Sequence, residues 1–453
     1  MSYSKYYNQM PDGTIKQLNP FTGTEVWSVP GRGFKPTAHP PATSRREGIE
    51  KKPLEDYCSF CEARYFETPP EKERVVRPDR QVADSQVADL SLREYKKFKY
   101  LTAEEYEKTR AEFRRVPNLF EIVTIDYWRK NYGFRLNGAK LQWKDKYLST
   151  PKGYQHVINI INTKLKLSGK SEEQVQKVTE EEKILMADSF FGGGHELIIV
   201  RKHYRPEAQW ETDLLASGDL TPEEHHEYIK FTIDAMEDIF ISNRYARYIS
   251  VFQNWLKPAG ASFDHLHKQL VALDEWGNTV EGQIDMVRKD ANVFNAVGAN
   301  LHAMLNLVFA ENDYAIAYAG IGHRFPTIEV FSRSQHSRPS LHAEDEIRGV
   351  SDLLHACHAA AGNLISCNEE WYYTPIDSIH KMPWHILVKW RINVPAGFEG
   401  GTKIYINPVS PVDLRDKVVP KLYKLRDEGK IAKDIRIAEE CRIVHNPLKY
   451  YKN

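Results

Sequence analysis

The sequence predicts an α+β protein made of two copies of one strand–helix–strand unit. Three observations carry that prediction. The chain has 453 residues, and a single hydrophobic core rarely grows that large. A strand-like run followed by H-x-R-P and a helix occurs twice. The first copy is Glu196-Leu197-Ile198-Ile199-Val200 with His203-Tyr204-Arg205-Pro206, the second Thr327-Ile328-Glu329-Val330-Phe331 with His336-Ser337-Arg338-Pro339. Each helix then leads into further strand.

The elements follow in order. Residues 12–36 read as strand, turn and strand: Asn19-Pro20-Phe21-Thr22-Gly23 is turn chemistry, and Val26-Trp27-Ser28-Val29 continues as strand. Residues 62–113 and 163–187 are highly charged and weakly periodic, and read as surface insertions containing some helix. The first repeat helix opens at Thr221-Pro222-Glu223-Glu224, a capping box with proline at the first helical position. Ile229, Ile233, Met236 and Phe240 mark its apolar face at helical spacing. Arg247 to Gln253 and Gln269 to Leu273 close the first copy as strands. The second helix starts near Ala343, with Ile347, Val350, Leu354 and Cys357 on one face, and Trp384 to Trp390 closes the second copy. Cys357 is a core filler there.

Charge and composition exclude several classes. Lys+Arg and Asp+Glu both number 62, so no global field draws the chain to nucleic acid or an acidic membrane. Spanning-length apolar runs are absent, and Met1 to Gln9 is polar and tyrosine-rich, with no signal segment. The expected compartment is the cytosol. Five cysteines, an odd number, argue against a disulfide framework. Two of them, Cys58 and Cys61, form a CxxC that suits zinc, although a full site needs four ligands.

The chemistry concentrates in Gly260-Ala261-Ser262-Phe263-Asp264-His265-Leu266-His267-Lys268-Gln269. In an extended segment His265, His267 and Gln269 share one face. Two imidazoles and an amide are costly to bury without partners. Gly-Ala-Ser before them permits close backbone approach, and Ser262 adds a hydroxyl, both suited to phosphate. From these residues alone the segment is either a phosphate site or a polar, exposed strand edge.

That segment, preceded by Val251-Phe252-Gln253-Asn254, resembles the active-site segment of the galactose-1-phosphate uridylyltransferase family, in the histidine-triad-like superfamily. Leu266 stands where the family usually has Pro or Ser. Further segments agree in the family's order. They are Asn19-Pro20-Phe21-Thr22-Gly23 with Arg32, Cys58-Ser59-Phe60-Cys61 with Thr68-Pro69-Pro70-Glu71, Val116-Pro117-Asn118, and His195-Glu196-Leu197-Ile198-Ile199 with His203. Ala396-Gly397-Phe398-Glu399, continuing through Gly401-Thr402 to Ile406-Asn407-Pro408, resembles a branch that includes ADP-glucose phosphorylase-like members.

The resemblance implies two histidine-triad-like units, each an antiparallel sheet with packed helices. Residues 1–280 would carry the metal site and nucleophile, and residues 281–453 would lend a sugar- and phosphate-facing loop. It implies a structural zinc on Cys58, Cys61, His203 and His265, the thiols being otherwise a surface pair. His195 is expected as a hydrogen-bonded pocket or core histidine rather than a ligand. No metal is expected in the second half, where Trp384-His385-Ile386-Leu387-Val388 lacks the second HxH. His267 would be a covalent nucleophile, with Gln269 and Ser262 on the phosphoryl oxygens. Asn118 and Asn254 would meet the nucleotide, Arg32 a phosphate, and Phe398 and Glu399 the hexose, Glu399 being alternatively a solvated loop carboxylate. The implied reaction moves a nucleoside monophosphate between a nucleotide sugar and a hexose 1-phosphate, in a homodimer. The alternatives are a phosphorylase using inorganic phosphate, a histidine-triad hydrolase, and a non-catalytic zinc-stabilised nucleotide-binding protein. The insertions at 62–113 and 119–190 look longer than usual for the family.

Overall fold

A computed structural model describes residues 3–32, 48–49, 56–77 and 95–451. Residues 33–36 of the lead-in and 78–94 of the first insertion lie outside these. Along the chain the strands are β1 Tyr7–Gln9, β2 Ile15–Leu18, β3 Glu25–Ser28, β4 Glu73–Val76, β5 Lys96–Lys99, β6 Ala111–Pro117, β7 His195–Val200, β8 Tyr248–Trp255 and β9 His267–Leu273. The second half adds β10 Val308–Glu311, β11 Ala315–Ala319, β12 Thr327–Ser332, β13 Cys367–Tyr372, β14 His385–Trp390, β15 Ile404–Ile406 and β16 Arg436–Ile437. Six helices follow β6: α1 Ile125–Tyr132, α2 Gly138–Leu148, α3 Pro151–Leu167, α4 Glu172–Gln176, α5 Glu180–Met186 and α6 Asp188–Gly192. The others are α7 Pro222–Ser242, α8 Asn278–Lys289, α9 Asn300–Met304, α10 Glu344–Ala361, α11 Gly397–Thr402 and α12 Pro411–Asp427.

Twelve strands make one sheet in the order β16-β10-β11-β12-β14-β13-β8-β9-β7-β6-β4-β5, and β1-β2-β3-β15 make a second. The fold is α+β, as the sequence predicts. Its repeat can be read from the strand registers. In the first copy β9 lies between β7 and β8, with Ile199 opposite His267 and Leu197 opposite Gln269. In the second, β14 lies between β12 and β13, with Phe331 opposite His385 and Glu329 opposite Leu387. His385 is therefore the counterpart of His267, and Leu387 that of Gln269. The copies join where β8 pairs antiparallel with β13, Phe252 opposite Glu370. Those two residues face Gln269 and Leu387 respectively, so they are counterparts as well, and a pseudo-two-fold axis runs through their pair.

Helices α7 and α10 cover one face of this sheet. The α7 capping box is formed: Glu224 N–H donates to Thr221 Oγ1 (3.2 Å) and Thr221 N–H to Glu224 Oε2 (3.0 Å). Ile229, Ile233 and Met236 are buried, as are Ile347, Val350, Leu354 and Cys357 on α10. A polar network crosses between the copies on this face. Lys268 Nζ donates to Glu369 Oε1 (2.5 Å), His358 Nε2 to Glu369 Oε2 (2.8 Å) and Trp371 Nε1 to Glu369 Oε1 (2.6 Å).

The reading of 62–113 as a surface insertion is corrected. Its segments β4, β5 and β6 extend the main sheet, and β4 and β6 are buried throughout. Around β4 its charges are paired inside rather than solvated: Arg74 and, just beyond the stretch, Arg114 grip Glu71 (2.6 and 2.5 Å), and Lys72 (2.5 Å) meets Glu196, which Arg115 also holds; the lysines of β5 stay exposed. A count of charges does not separate these two states, whose burial costs differ greatly. The 163–187 stretch is helical as expected. With α2 and α6 it closes a separate small core around Trp143, Tyr147, Val157, Ile161, Phe190 and Phe191.

Candidate active site and metal centre

His267 opens β9, and its ring lies on the sheet face opposite α7 and α10, because the alternate residue Lys268 points to the helices. Its Nδ1 is 2.7 Å from the His265 carbonyl oxygen. A carbonyl only accepts, so Nδ1 carries the proton and Nε2 keeps a free lone pair. Burial pushes His267 down to about 4, so the ring is neutral at pH 7. The Phe60 ring stands edge-on, 5.3 Å from it. A buried, neutral imidazole with its lone pair oriented from the far side is a poised nitrogen nucleophile.

Gln269, two residues on, shares that face. Its Oε1 is 3.1 Å from His195 Nε2. His195 begins β7, and its Nδ1 accepts from the Ile122 N–H (3.1 Å). Asn118, at the end of β6, has its Nδ2 3.1 Å from His195 Nε2 and its Oδ1 bonded by the Phe120 N–H (2.9 Å). His195 is thus a hydrogen-bonded pocket histidine, as expected. Asn254 accepts from Asn368 Nδ2 (2.7 Å) across the β8–β13 junction. Ser262 is exposed in the loop before β9. A cleft of about 400 Å³ runs across the junction, lined by Phe252, which pairs with Gln269, and by Asn254, Trp276, Asn368, Glu370 and Tyr372 among others.

Cys58, Cys61, His203 and His265 converge, their donor atoms all within 4.8 Å of one another. Cys58 Sγ lies 3.8 Å from Cys61 Sγ and 3.5 Å from His265 Nδ1, while Cys61 Sγ is 3.5 Å from His203 Nδ1 and 3.7 Å from His265 Nδ1. A tetrahedral zinc with bonds of about 2.3 Å to sulfur and about 2.0 Å to nitrogen sets sulfur–sulfur and sulfur–nitrogen pairs roughly 3.5–3.8 Å apart. The four residues fit that ion. His265 Nε2 donates to Val200 O (2.6 Å), which leaves Nδ1 as the ligand atom and anchors the ring from behind. Cys61 is held well down by its contact with Cys58 and by the two imidazoles, and Cys58 is held up by the same contact. No further group of this kind occurs among the described residues.

Arg32, Phe398 and Glu399 do not join this constellation within one chain. Gly397–Thr402 is a short helix, and Glu399 Oε2 accepts from the Ala396 N–H (2.8 Å), capping it. The adjoining β15 pairs with β3, and Asn407 Nδ2 reaches the His323 carbonyl (3.3 Å), on the second copy. Phe398 is half exposed, and the Ala396 N–H, with Arg32 as a lesser cause, holds the Glu399 carboxyl below its usual range. Sequence reasoning missed Phe60 as the wall between His267 and the cysteine cluster. It also missed the Lys268–Glu369 link behind β9, for which an alternating polar residue in an apolar strand is the available signal.

A family model described as Domain of unknown function (DUF4921) matches residues 10–450. A curated relative, ADP-glucose phosphorylase of Arabidopsis thaliana, is 26% identical over 178 residues, 37% of this chain and 50% of that protein. The match thus spans half of the relative's length. The crystal structure of an ADP-glucose phosphorylase from Arabidopsis thaliana with bound ADP-glucose aligns at TM-score 0.53 and 18% identity, covering 89% of this chain and 97% of that one. A GalT-like protein from Arabidopsis thaliana aligns at TM-score 0.52 and 17% identity, covering 89% and 98%. The fold is that of the GalT-like proteins.

Proposed function

We propose that this chain, which belongs to the DUF4921 family, is a nucleotidyltransferase that works on a nucleotide sugar through a covalent nucleotidyl-His267. The observation that carries the reading is the His267 Nδ1 bond to the His265 carbonyl (2.7 Å), which presents Nε2 as a lone pair beside the Gln269 amide. Nε2 attacks the α-phosphorus. A P–N bond forms, the bond from that phosphorus to the bridging oxygen breaks, and its electron pair leaves with the sugar 1-phosphate. A second phosphate-bearing acceptor reverses the sequence, so one difficult displacement becomes two easier ones. Gln269 donates to the phosphoryl oxygens as charge builds there, with Ser262 closing from its loop. Asn118 and Asn254 hold the nucleotide, and the cleft across the junction takes the rest of the substrate. A zinc on Cys58, Cys61, His203 and His265 would be structural, clamping the N-terminal segment to the nucleophile strand.

The assignment extends to the second half in outline. Residues 1–280 hold the nucleophile, and residues 281–453 supply the Phe398–Glu399 loop, which with Arg32 completes the site from a partner subunit in a homodimer. We place the enzyme in the cytosol. No described helix is long and apolar enough to cross a membrane.

Gln269 favours transfer over hydrolysis. An amide offers no proton to a leaving oxygen, whereas a histidine at that position can act as general acid. The acceptor is a hexose 1-phosphate or, in a second reading supported by the name of the curated relative, inorganic phosphate. The test is incubation with UDP- and ADP-sugars labelled in the nucleotide. An acid-labile adduct on His267 that is discharged by sugar 1-phosphates or by phosphate is expected. Hydrolysis without acceptor at the transfer rate favours a hydrolase instead. Nucleotide binding with no adduct favours a non-catalytic protein.

A further inference from the structure

We infer that His195 is a positioning residue: it sets which edge of the Gln269 amide faces the phosphoryl group. The inference rests on the functional reading above only for its kinetic part. Carboxamides can turn over with little steric change, so a glutamine in a site can present either oxygen or NH2. What decides between them here is a backbone group two hydrogen bonds away.

The Ile122 N–H can only donate, and it points at His195 Nδ1 from 3.1 Å. Nδ1 must therefore be unprotonated in the neutral ring, and Nε2 must carry the hydrogen. Burial lowers the His195 pKa, which keeps the ring neutral. Nε2–H then donates to Gln269 Oε1 at 3.1 Å. With its oxygen taken, Gln269 has only its NH2 edge to offer to the site. That edge is a donor, and a phosphoryl oxygen needs a donor. The opposite tautomer would set an Nδ1–H against the Ile122 N–H. It would also leave Nε2 to accept from Gln269, turning the amide oxygen toward the phosphate. The Asn118 amide bears on the same choice. Its Oδ1 is held by the Phe120 N–H (2.9 Å), so its Nδ2 faces His195 Nε2 at 3.1 Å and competes with the Ile122 N–H for the one ring nitrogen that can accept; the backbone N–H, which cannot turn away, decides, and the Asn118 amide is the group that must yield.

Two measurements test this on the full-length protein. The first is the tautomer itself, read from the nitrogen shifts of ¹⁵N-histidine-labelled protein, with His195→Gln as the assignment control. A single Nε2–H form near neutral pH is expected. An Nδ1–H form, or a mixture, overturns the inference whatever the enzyme does. The second is a double-mutant cycle on the rate of His267 nucleotidylation. His195→Leu is expected to slow it about 100-fold, the order seen when one donor to developing charge is lost, with the substrate KM little changed. His195→Gln, which keeps a donor near the place of Nε2, is expected to recover much of that loss. The His195→Leu and Gln269→Ala double variant should be no slower than Gln269→Ala alone, because one residue acts through the other. Additive losses would show that His195 acts apart from Gln269 and would overturn the inference. Absence of any adduct in the wild type counts against the transferase reading, while the tautomer result stands separately.

Discussion

His267 and His385 occupy the same place in two copies of one fold, and their surroundings differ in nearly everything else. Each opens the middle strand of its copy. Each sends Nδ1–H to the carbonyl two residues earlier, at 2.7 Å to His265 and 2.9 Å to Pro383. Burial pushes both down to about 4. Past that point the copies part. Gln269 becomes Leu387, and the position of His195, four residues before Ile199, is filled by Thr327, four before Phe331. The polar residue of the facing pair moves strands, from Gln269 opposite Leu197 to Glu329 opposite Leu387. His385 is stacked on Phe331 (4.5 Å) and Tyr372 (5.2 Å), and Gln283 Nε2 from α8 lies 3.4 Å from its Nε2. The hairpin geometry alone orients an imidazole. What faces Nε2 separates the proposed nucleophile from a core histidine.

The sharpest way to break that comparison is to make one substitution in both copies. His267→Asn is expected to abolish adduct formation and to lower transfer by at least about 10⁴-fold, as loss of a covalent nucleophile does. His385→Asn should leave transfer within about threefold of wild type and reduce stability instead. Mass spectrometry of the trapped protein and steady-state exchange rates check both. Equal loss of transfer in the two variants would mean that the copies share one chemistry.

The cysteine cluster belongs to the first copy alone among the described residues. Cys58→Ser is expected to release the metal and to cost on the order of 4 kcal/mol of stability, the range reached when a buried metal site is lost. The rate of the chemical step on folded protein should change little. Metal content by elemental analysis and denaturant unfolding measure the two parts. A wild type that is fully folded and metal-free sinks this expectation.

Much of this contrast is legible in the chain itself, and the reason is local. Capping at Thr221, the period of α7 and α10, and the alternation that puts His265, His267 and Gln269 on one side are short-range properties. They need no knowledge of the partner strand. The charged 62–113 stretch was not legible in this way. Lys72 and Glu71 from this stretch are buried because Glu196 and Arg114 reach them from other strands, and composition carries no register. The direction of Gln269 is equally hidden, since it depends on an Ile122 backbone N–H about 150 residues upstream.

The link between the copies offers a third test. Lys268 comes from the first copy and Glu369 from the second, and both side chains are 0% exposed. Burial alone would raise the Glu369 carboxyl, but Lys268 and His358 outweigh it and hold it down to about 2. Glu369→Gln strands a buried ammonium and should cost about 3 kcal/mol or more. Adding Lys268→Met should recover most of that, because two apolar groups replace the pair. Urea unfolding of the single and double variants decides it. A double variant as unstable as the single one would mean that packing, not the charge pair, joins the halves.

The smallest expected effect is on the pH dependence of stability. His385, His355 and His156 are each pushed by burial down to about 4. In the unfolded chain a histidine takes up its proton near 6.5. Between about pH 6.5 and 4 the unfolded state therefore binds more protons than the fold, and stability must fall as the pH falls through that window. Above about 6.5 all three are neutral in both states and contribute no slope. Glu369 stays ionised in the fold across the window. Its unfolded carboxyl takes up a proton at about pH 4.3, which adds slope of the same sign only at the lower end and equally in wild type and variant. Replacing His385 by Phe keeps an aromatic ring between Phe331 and Tyr372 and removes one titrating group. The slope of unfolding free energy against pH should then flatten by at most about 1.4 kcal/mol per pH unit, the value of one proton. An unchanged slope in His385→Phe would mean that the His385 ring already titrates in the fold as it does in water, and that the second copy holds its histidine in a wetter place than the first.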